Sequence, residues 1–600
     1  MMNLVSDVWS ILTPPQRRYV LVAQFASLLM AFSTVTGIAA IAPFFAVLGE
    51  PQMIEHNALL HALYIQFGFS SRRSFVVALG IGFIAVIIIA NLINVLGSLA
   101  MNRLALSIGN ELQSSLFGEY LGRPYLFHAG TNSTTLYNNI IYETARVSNG
   151  ILQNAFILVT NLVTASVIIL SILLLNPAVG VAMIVGLAGG YVAIYLTVRN
   201  RLLRFGHAQS HFATEQARIV NESFGAIRDI IILQVGNFFR DSFERASRGF
   251  SLAAAHSQVV GQIPKHIMEC VAVAGLVGLA LVLGGRADGP WLGRLTFLAF
   301  AAYRLLPTLQ QVFAAIVKIR AERAAFAVIA PDLRRARVPK SAVAAADACG
   351  ADGWQERPCR ELRLTGVSFR YAPDRPWAVG GVHLRIPAGA AVGFVGPNGS
   401  GKTTLVDLVT GLLVPEIGRI EVDGIALDDA NRTAWQSRIA YVPQNIFLLD
   451  TTIEQNIALG IPVAAIDRRR LLAAAQLAQL GEFVGALPGG YDYVVGERGM
   501  KLSGGQRQRI GIARALYTDA SVLIFDEATN ALDGLTEQEL MATIVRLRGL
   551  YTVILIAHRL STVRDCDVIL ELDRGKVTGS GTYDGLIQNS KTFRRLTKVP

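Results

Sequence analysis

Apolar residues crowd into the first half of this 600-residue chain in long runs, whereas the second half alternates short apolar stretches with polar ones. From Val147 to Val198 no Asp, Glu, Lys or Arg occurs, and a run of that length holds two bilayer spans of roughly 20 residues each. Asn176 and Pro177 supply the turn between them. Hydropathy predicts six spans in all, near 19–48, 75–102, 149–175, 178–198, 267–285 and 292–316. An even number puts both termini on one side of the membrane. The segment from Arg199 to Lys265 is arginine-rich, with Arg201, Arg204, Arg218, Arg228, Arg240, Arg245 and Arg248, so it is expected in the cytoplasm. Arg72 and Arg73 then fall outside, against that rule.

Between the first two spans, Leu60, Leu63, Tyr64 and Phe67 recur at helical spacing and predict a short amphipathic external helix near 53–68. The polar stretches between spans two and three, and between four and five, are compatible with helix and are expected to carry the spans into the cytosol. From Pro331 the composition shifts to Ala, Arg, Asp, Gly and Pro with no apolar period, which marks a linker over 331–360 after a membrane domain over 1–330. Beyond it, strand-like runs at Leu364–Tyr371, Ala391–Val395, Ile439–Val442, Ser521–Phe525 and Thr552–Ala557 alternate with helical patterns, as an α/β domain over 361–600 requires.

Composition adds limits. A hydrophobic fraction of 52% suits a protein half in lipid, and the net charge of +11 is expected to sit on the cytoplasmic side and near anionic lipid, with no nucleic-acid partner. Cys270, Cys349, Cys359 and Cys566 have no framework-like spacing and read as reduced thiols. Pro14-Pro15-Gln16-Arg17-Arg18 precedes an apolar run too long for a signal peptide, so this is expected to be a retained first span.

The chemistry lies in the second half. After the strand Ala391–Val395 comes Gly396-Pro397-Asn398-Gly399-Ser400-Gly401-Lys402-Thr403-Thr404, a complete GxxxxGKS/T loop. Its glycines let backbone N–H groups wrap the phosphates of ATP, Lys402 reaches the β and γ phosphates, and the Thr403 hydroxyl ligates Mg2+. Ser521-Val-Leu-Ile-Phe-Asp526-Glu527 is a buried strand ending in two carboxylates, where Asp526 can organise Mg2+ and Glu527 can polarise the attacking water. His558 follows another apolar run and can bridge the γ-phosphate and that water.

Leu502-Ser503-Gly504-Gly505-Gln506 matches the LSGGQ signature, and with it the chain resembles the ATP-binding-cassette family over essentially its whole length. The resemblance implies Tyr371 as the aromatic that stacks on adenine, Gln444 as the residue sensing Mg2+ and attacking water, and Asp533 as the acid of the loop after the carboxylates. It also implies that Ser503 and Gly505 of one chain close over ATP held by the Lys402 of a second identical chain, so a homodimer carries two competent sites. Coupling helices are expected around Pro124–Thr135 and Glu222–Leu233. The fold expected is an α-helical membrane domain with six transmembrane helices, fused to an α/β P-loop nucleotide-binding domain, the type IV exporter arrangement.

Arg304 falls near the middle of the sixth span inside Tyr303-Arg304-Leu-Leu-Pro307, and Lys265 enters the fifth beside Pro264. A charge at the depth of Arg304 is costly unless it faces a cavity or partner, so Arg304 is a candidate cargo residue with a structural ion pair as the alternative. Lys265 is a second candidate, whose alternatives are snorkelling to the membrane edge or pairing there with Glu269. With the external helix, these stretches resemble the bacterial lipid-linked oligosaccharide flippases of protein N-glycosylation. That resemblance implies a polyprenyl-pyrophosphate glycan, or another amphipathic anionic cargo, carried from the cytoplasmic to the outer face of the bacterial inner membrane. The second span departs from the pattern, since Phe75–Met101 contains no arginine. The alternatives are a general lipid or hydrophobic-drug exporter and, against the intact Glu527, a non-transporting regulatory cassette.

Overall fold

The computed structural model describes residues 7, 9–39, 47, 54, 58–69, 71–175, 177–284, 291–337, 360–528, 544, 547–557 and 560–597. Two compact units divide the chain: Met1–Arg123 with Thr131–Val338, and Pro124–Gly130 with Pro339–Pro600.

The first unit is helical. Its long helices are α1 (Pro14–Ala39), α3 (Arg72–Leu121), α5 (Gln153–Leu175), α6 (Pro177–Gly225), α8 (Gly236–Gly284) and α9 (Trp291–Ala321), and they fall on the six expected spans. Among the described residues, Pro14–Gly37, Arg72–Leu121 and Ser133–Leu170 are long and apolar enough to cross a membrane. α3 has 50 residues and α6 and α8 have 49 each. At about 1.5 Å per residue each is more than twice the roughly 30 Å of hydrocarbon, so the spans continue well beyond the bilayer.

Without a hydrophobic drive between helices in lipid, close packing depends on small residues. At Gly97 a Cβ would lie 2.4 Å from Met30 Sδ, and beyond the expected span, where α6 continues, a Cβ at Gly206 would lie 2.1 Å from the Ala321 carbonyl. Just before α5, two π-helical segments, Asn139–Glu143 and Val147–Leu152, flank a buried ionic network. Arg146 reaches Glu322 at 2.5 Å and Glu143 at 3.1 Å, and also donates to Ser210.

The short helix α2 (Ala58–Gln66) forms within the range expected of an external helix. Its apolar residues do not share one surface. Leu60 packs with Val47, Ile54, Phe75 and Tyr64, whereas Leu63 and Phe67 stay exposed. The helix α10 (Arg323–Ala336) runs through Pro331, where composition placed the start of the linker. Ile329, Ala330 and Leu333 are buried on one face, and that packing extends the helix past the proline to Ala336.

In the second unit, a six-stranded sheet of order β10-β9-β3-β8-β7-β6 places β3 (Ala391–Val395) beside β8 (Thr552–Ile556) and β9 (Val568–Asp573). β7 (Val522–Asp526) lies between β8 and β6 (Ile439–Val442), all of these pairs being parallel. β10 (Lys576–Gly581) adds an antiparallel edge. Both faces are covered, which explains why β3, β7 and β8 are buried along their whole length and read as continuous apolar runs. A second, antiparallel sheet of order β2-β1-β4-β5 contains β1 (Glu361–Phe369), β2 (Val379–Pro387), β4 (Ile417–Val422) and β5 (Ile425–Ala426). The first strand therefore begins three residues earlier than its apolar pattern suggests, and Tyr371 lies just beyond its end.

Candidate nucleotide site and family

The loop after β3 is shaped by backbone that only glycine supplies. Gly396 has φ +152° and a Cβ there would lie 2.1 Å from the Leu572 carbonyl, while Gly401 caps the following helix, α11 (Lys402–Val409), with φ +99°. Pro397, Asn398 and Gly399 are exposed at the loop's tip, and Ser400 beneath them is buried with its hydroxyl lacking a partner among the described residues. Lys402 is buried and donates to the Gly396 carbonyl at 2.9 Å and the Pro397 carbonyl at 3.1 Å. Burial lowers its pKa against the pull of the Glu527 and Asp526 carboxylates. Thr403 is exposed, and Thr404 is buried and within 3.0 Å of the Tyr371 hydroxyl. The Tyr371 ring stands edge-on to Phe369 and remains 45% exposed, leaving a face available to a base.

β7 delivers the carboxylates. Asp526 is buried and accepts a hydrogen bond from the Tyr441 hydroxyl at 2.8 Å. Burial and the Asp526 carboxylate together raise the Tyr441 phenol well above its ordinary value, so the hydroxyl keeps its proton. At the next residue the backbone turns: Glu527 has φ +50°, a conformation uncommon outside glycine and often found at functional sites. This turn carries its side chain off the strand, where Gln444 Nε2 donates to Glu527 Oε2 at 2.6 Å. Asp407, on α11, is buried in the same neighbourhood; burial first and Asp526 second push its carboxyl up to about 6.

The signature segment forms the N-terminus of α12 (Gly504–Tyr517). Ser503 and Gln506 make a reciprocal capping box, with Ser503 N donating to Gln506 Oε1 at 2.8 Å and Gln506 N to Ser503 Oγ at 3.2 Å. Gly504 and Gly505 stay partly exposed at that end, so the free N–H groups of the first turn can receive an anion. The arrangement fits a nucleoside triphosphate: a glycine cradle too tight for a side chain, a buried ammonium, and a buried aspartate for a cation near the phosphates.

Two family profiles match the chain, the ABC transporter transmembrane region over residues 17–289 and the ABC transporter domain over residues 379–530. The ATP-dependent lipid A-core flippase of Ralstonia nicotianae is 31% identical over 515 residues, 84% of this chain and 83% of that protein. This chain belongs to the ABC transporter family. Having its membrane region and cassette on one polypeptide, it is an exporter half-transporter that hydrolyses ATP. The heterocyst differentiation ATP-binding protein HepA of Nostoc is 30% identical over 498 residues, 82% of the exporter's chain and 79% of HepA. A solved structure of a bacterial Atm1-family ABC exporter with ATP bound superposes with a TM-score of 0.77 at 24% identity, covering 97% of both chains, and so shares the fold.

Not every residue anticipated in the exporter can be placed. His558 and Asp533 lie outside the described residues, and so does the side chain of Arg304, whose backbone is in α9. Lys265 is exposed on α8, and among the described residues Glu269 is paired with His266 at 3.9 Å, not with Lys265. The two loop helices do form. α4 (Tyr125–Gly130) belongs to the cassette's compact unit, where burial and then the Asp407 carboxylate raise the Tyr125 phenol. α7 (Ile227–Leu233) leaves Ile231, Ile232 and Leu233 exposed. The sequence carries Tyr441 in the same stretch as Gln444 but assigns no role to it or to Asp407; each matters through what the sheet places next to it.

Proposed function

We propose that this exporter works as a homodimer that carries a lipid-linked anionic cargo, a polyprenyl-pyrophosphate oligosaccharide, from the cytoplasmic to the outer face of a bacterial inner membrane. The observation that supports ATP-driven turnover is the 2.6 Å hydrogen bond from Gln444 to Glu527 beside the buried Asp526. Glu527 accepts the proton of the attacking water, and Gln444 holds that carboxylate in place. Lys402 exchanges the loop carbonyls it now touches for the β and γ phosphate oxygens. Asp526 and Thr403, with Gln444, would hold Mg2+, which supplies charge neutralisation on the phosphates when bound. Ser503 and Gly505 of the second copy close the site with the N-terminus of α12, Asp533 and His558 complete it, and Tyr371 stacks on adenine.

The lipid character of the cargo is supported by the bacterial relatives named as lipid A-core flippases. The pyrophosphate is supported by the position of Arg304, whose guanidinium chemistry suits paired phosphate oxygens, with Lys265 as a second candidate. A broader lipid exporter is the competing reading, favoured by the absence of any arginine between Phe75 and Met101. ATPase assays in proteoliposomes separate the two. Polyprenyl-pyrophosphate glycans should stimulate the wild type, and Arg304→Ala should lose that response. Equal stimulation by apolar drugs, or a normal response in the variant, would remove the pyrophosphate clamp. For the cassette, Glu527→Gln should bind ATP and lose turnover by at least a hundredfold; ordinary hydrolysis by this variant would overturn the role given to Glu527.

A further inference from the structure

Helices α1, α3, α5 and α9 enclose a cavity of about 390 Å3 within the membrane unit, inside the roughly 300–1,000 Å3 range of small-ligand sites. Its walls mix apolar side chains, among them Met101, Ile157 and Pro307, with amide and hydroxyl groups: Asn94 and Asn102 from α3, Gln153 and Asn161 from α5, Thr308 and Gln311 from α9. Met30 and Phe156 form apolar patches between them. No Asp, Glu, Lys or Arg is among the described residues that line it.

These polar residues are placed by helical periodicity. Asn94, Ser98 and Asn102 repeat every four residues on α3, and Gln153, Ile157, Thr160, Asn161 and Thr164 form a continuous stripe on α5. A stripe of this kind is costly against lipid and stable against water or a polar cargo. The protein uses only part of its hydrogen-bonding capacity. Gln153 Nε2 donates to Asn102 Oδ1 at 2.9 Å, and Asn161 Nδ2 donates to the Ile157 carbonyl at 2.8 Å. The Asn102 amide nitrogen and the Gln153 and Asn161 amide oxygens are left without a protein partner among the described residues.

The chemistry of the walls selects the guest. An ionised group would lie among neutral walls, with no charged side chain among the described lining residues to pair it. An apolar chain would leave the amides unpaired at about 1–3 kcal/mol each. A sugar hydroxyl both donates and accepts, which answers adjacent amide donors and acceptors, and the C–H face of the ring suits Met30 and Phe156. We infer that this cavity is the subsite for the uncharged, hydroxyl-rich part of the cargo, separate from the position of Arg304 one helical turn before Thr308. This rests on the reading of the cargo as a lipid-linked glycan.

The test is transport by the full-length protein in proteoliposomes, comparing polyprenyl pyrophosphate with and without a neutral oligosaccharide, for the wild type, Asn161→Ala and Gln153→Leu. Gel filtration and nucleotide binding report that each variant is folded. The variants should raise the KM for the glycosylated lipid about tenfold and move that for the bare lipid less than twofold. An equal change for both lipids, or no change for either, overturns the subsite. If neither pyrophosphate lipid is transported by the wild type, the cargo reading fails by itself, and a neutral diglycosyl lipid then decides the cavity. Transport that Asn161→Ala weakens about tenfold upholds the sugar subsite; absence of transport, or indifference to the variant, overturns it.

Discussion

Asp407 places a carboxyl, buried to 7% exposure, in the helix that follows the phosphate loop, near the Asp526 carboxylate. Its rise from 3.8 to about 6 means that the folded cassette binds this proton more tightly than the unfolded chain does. Between those two values the native state holds more protons, so stability falls as pH rises through this window and stays lower above it. The full difference amounts to about 3 kcal/mol, with roughly half of it already present at pH 5. Asp407→Asn keeps the shape and removes the titration. The variant should be more stable than wild type at pH 8, by up to about 3 kcal/mol or roughly 6–12 °C in the cassette's melting temperature, and the margin should shrink at pH 5. Scanning fluorimetry of the detergent-solubilised protein at the two pH values reads this directly. A margin that is the same at both, or a variant less stable at pH 8, would refute the assignment of burial as the cause.

Gly396→Ala must place a methyl 2.1 Å from the Leu572 carbonyl, so the loop has to move; ATP affinity should fall more than tenfold, measured by nucleotide titration, with a stability loss of about 1–3 kcal/mol. Arg146→Ala would strand Glu143, which is 1% exposed, together with Glu322. A loss of about 3–5 kcal/mol is expected in detergent melts, because removing one partner leaves an uncompensated buried charge. A melting temperature unchanged within a degree would show that the network contributes nothing. Tyr371→Ala removes the ring face offered to adenine and should weaken ATP binding by about 1–3 kcal/mol, taking base stacking on aromatics as the guide.

Much of the cassette was legible because its information is local. The phosphate loop, the strand ending in Asp526 and Glu527, and the capped signature at Ser503–Gln506 are contiguous segments whose geometry follows from their own residues. The three central strands were visible for a related reason: burial on both faces demands unbroken apolar runs. In the membrane half, the bilayer acts as a solvent that forces each span into helix, so the apolar runs fell on the six long helices, although among the described residues only three stretches are long and apolar enough to be picked out as spans by those two properties alone.

What required the tertiary structure is non-local. That Gln444 meets Glu527, or that Tyr441 holds Asp526, depends on which strands are neighbours in the sheet, and no spacing along the chain encodes strand order. Arg146 gains Glu322 from the junction of α9 and α10, 176 residues away. Pro331 suggested an ending that the packing of Ile329 and Leu333 overrode, and the helical spacing of Leu60, Leu63, Tyr64 and Phe67 did not reveal which of them find a partner. The amides at 94, 102, 153 and 161 were visible as polar residues without charge, but only the convergence of four helices turns them into one cavity. Local sequence determines which conformation a segment prefers; the contacts that give a polar side chain its role are made by elements far apart in the chain, and these are set by packing.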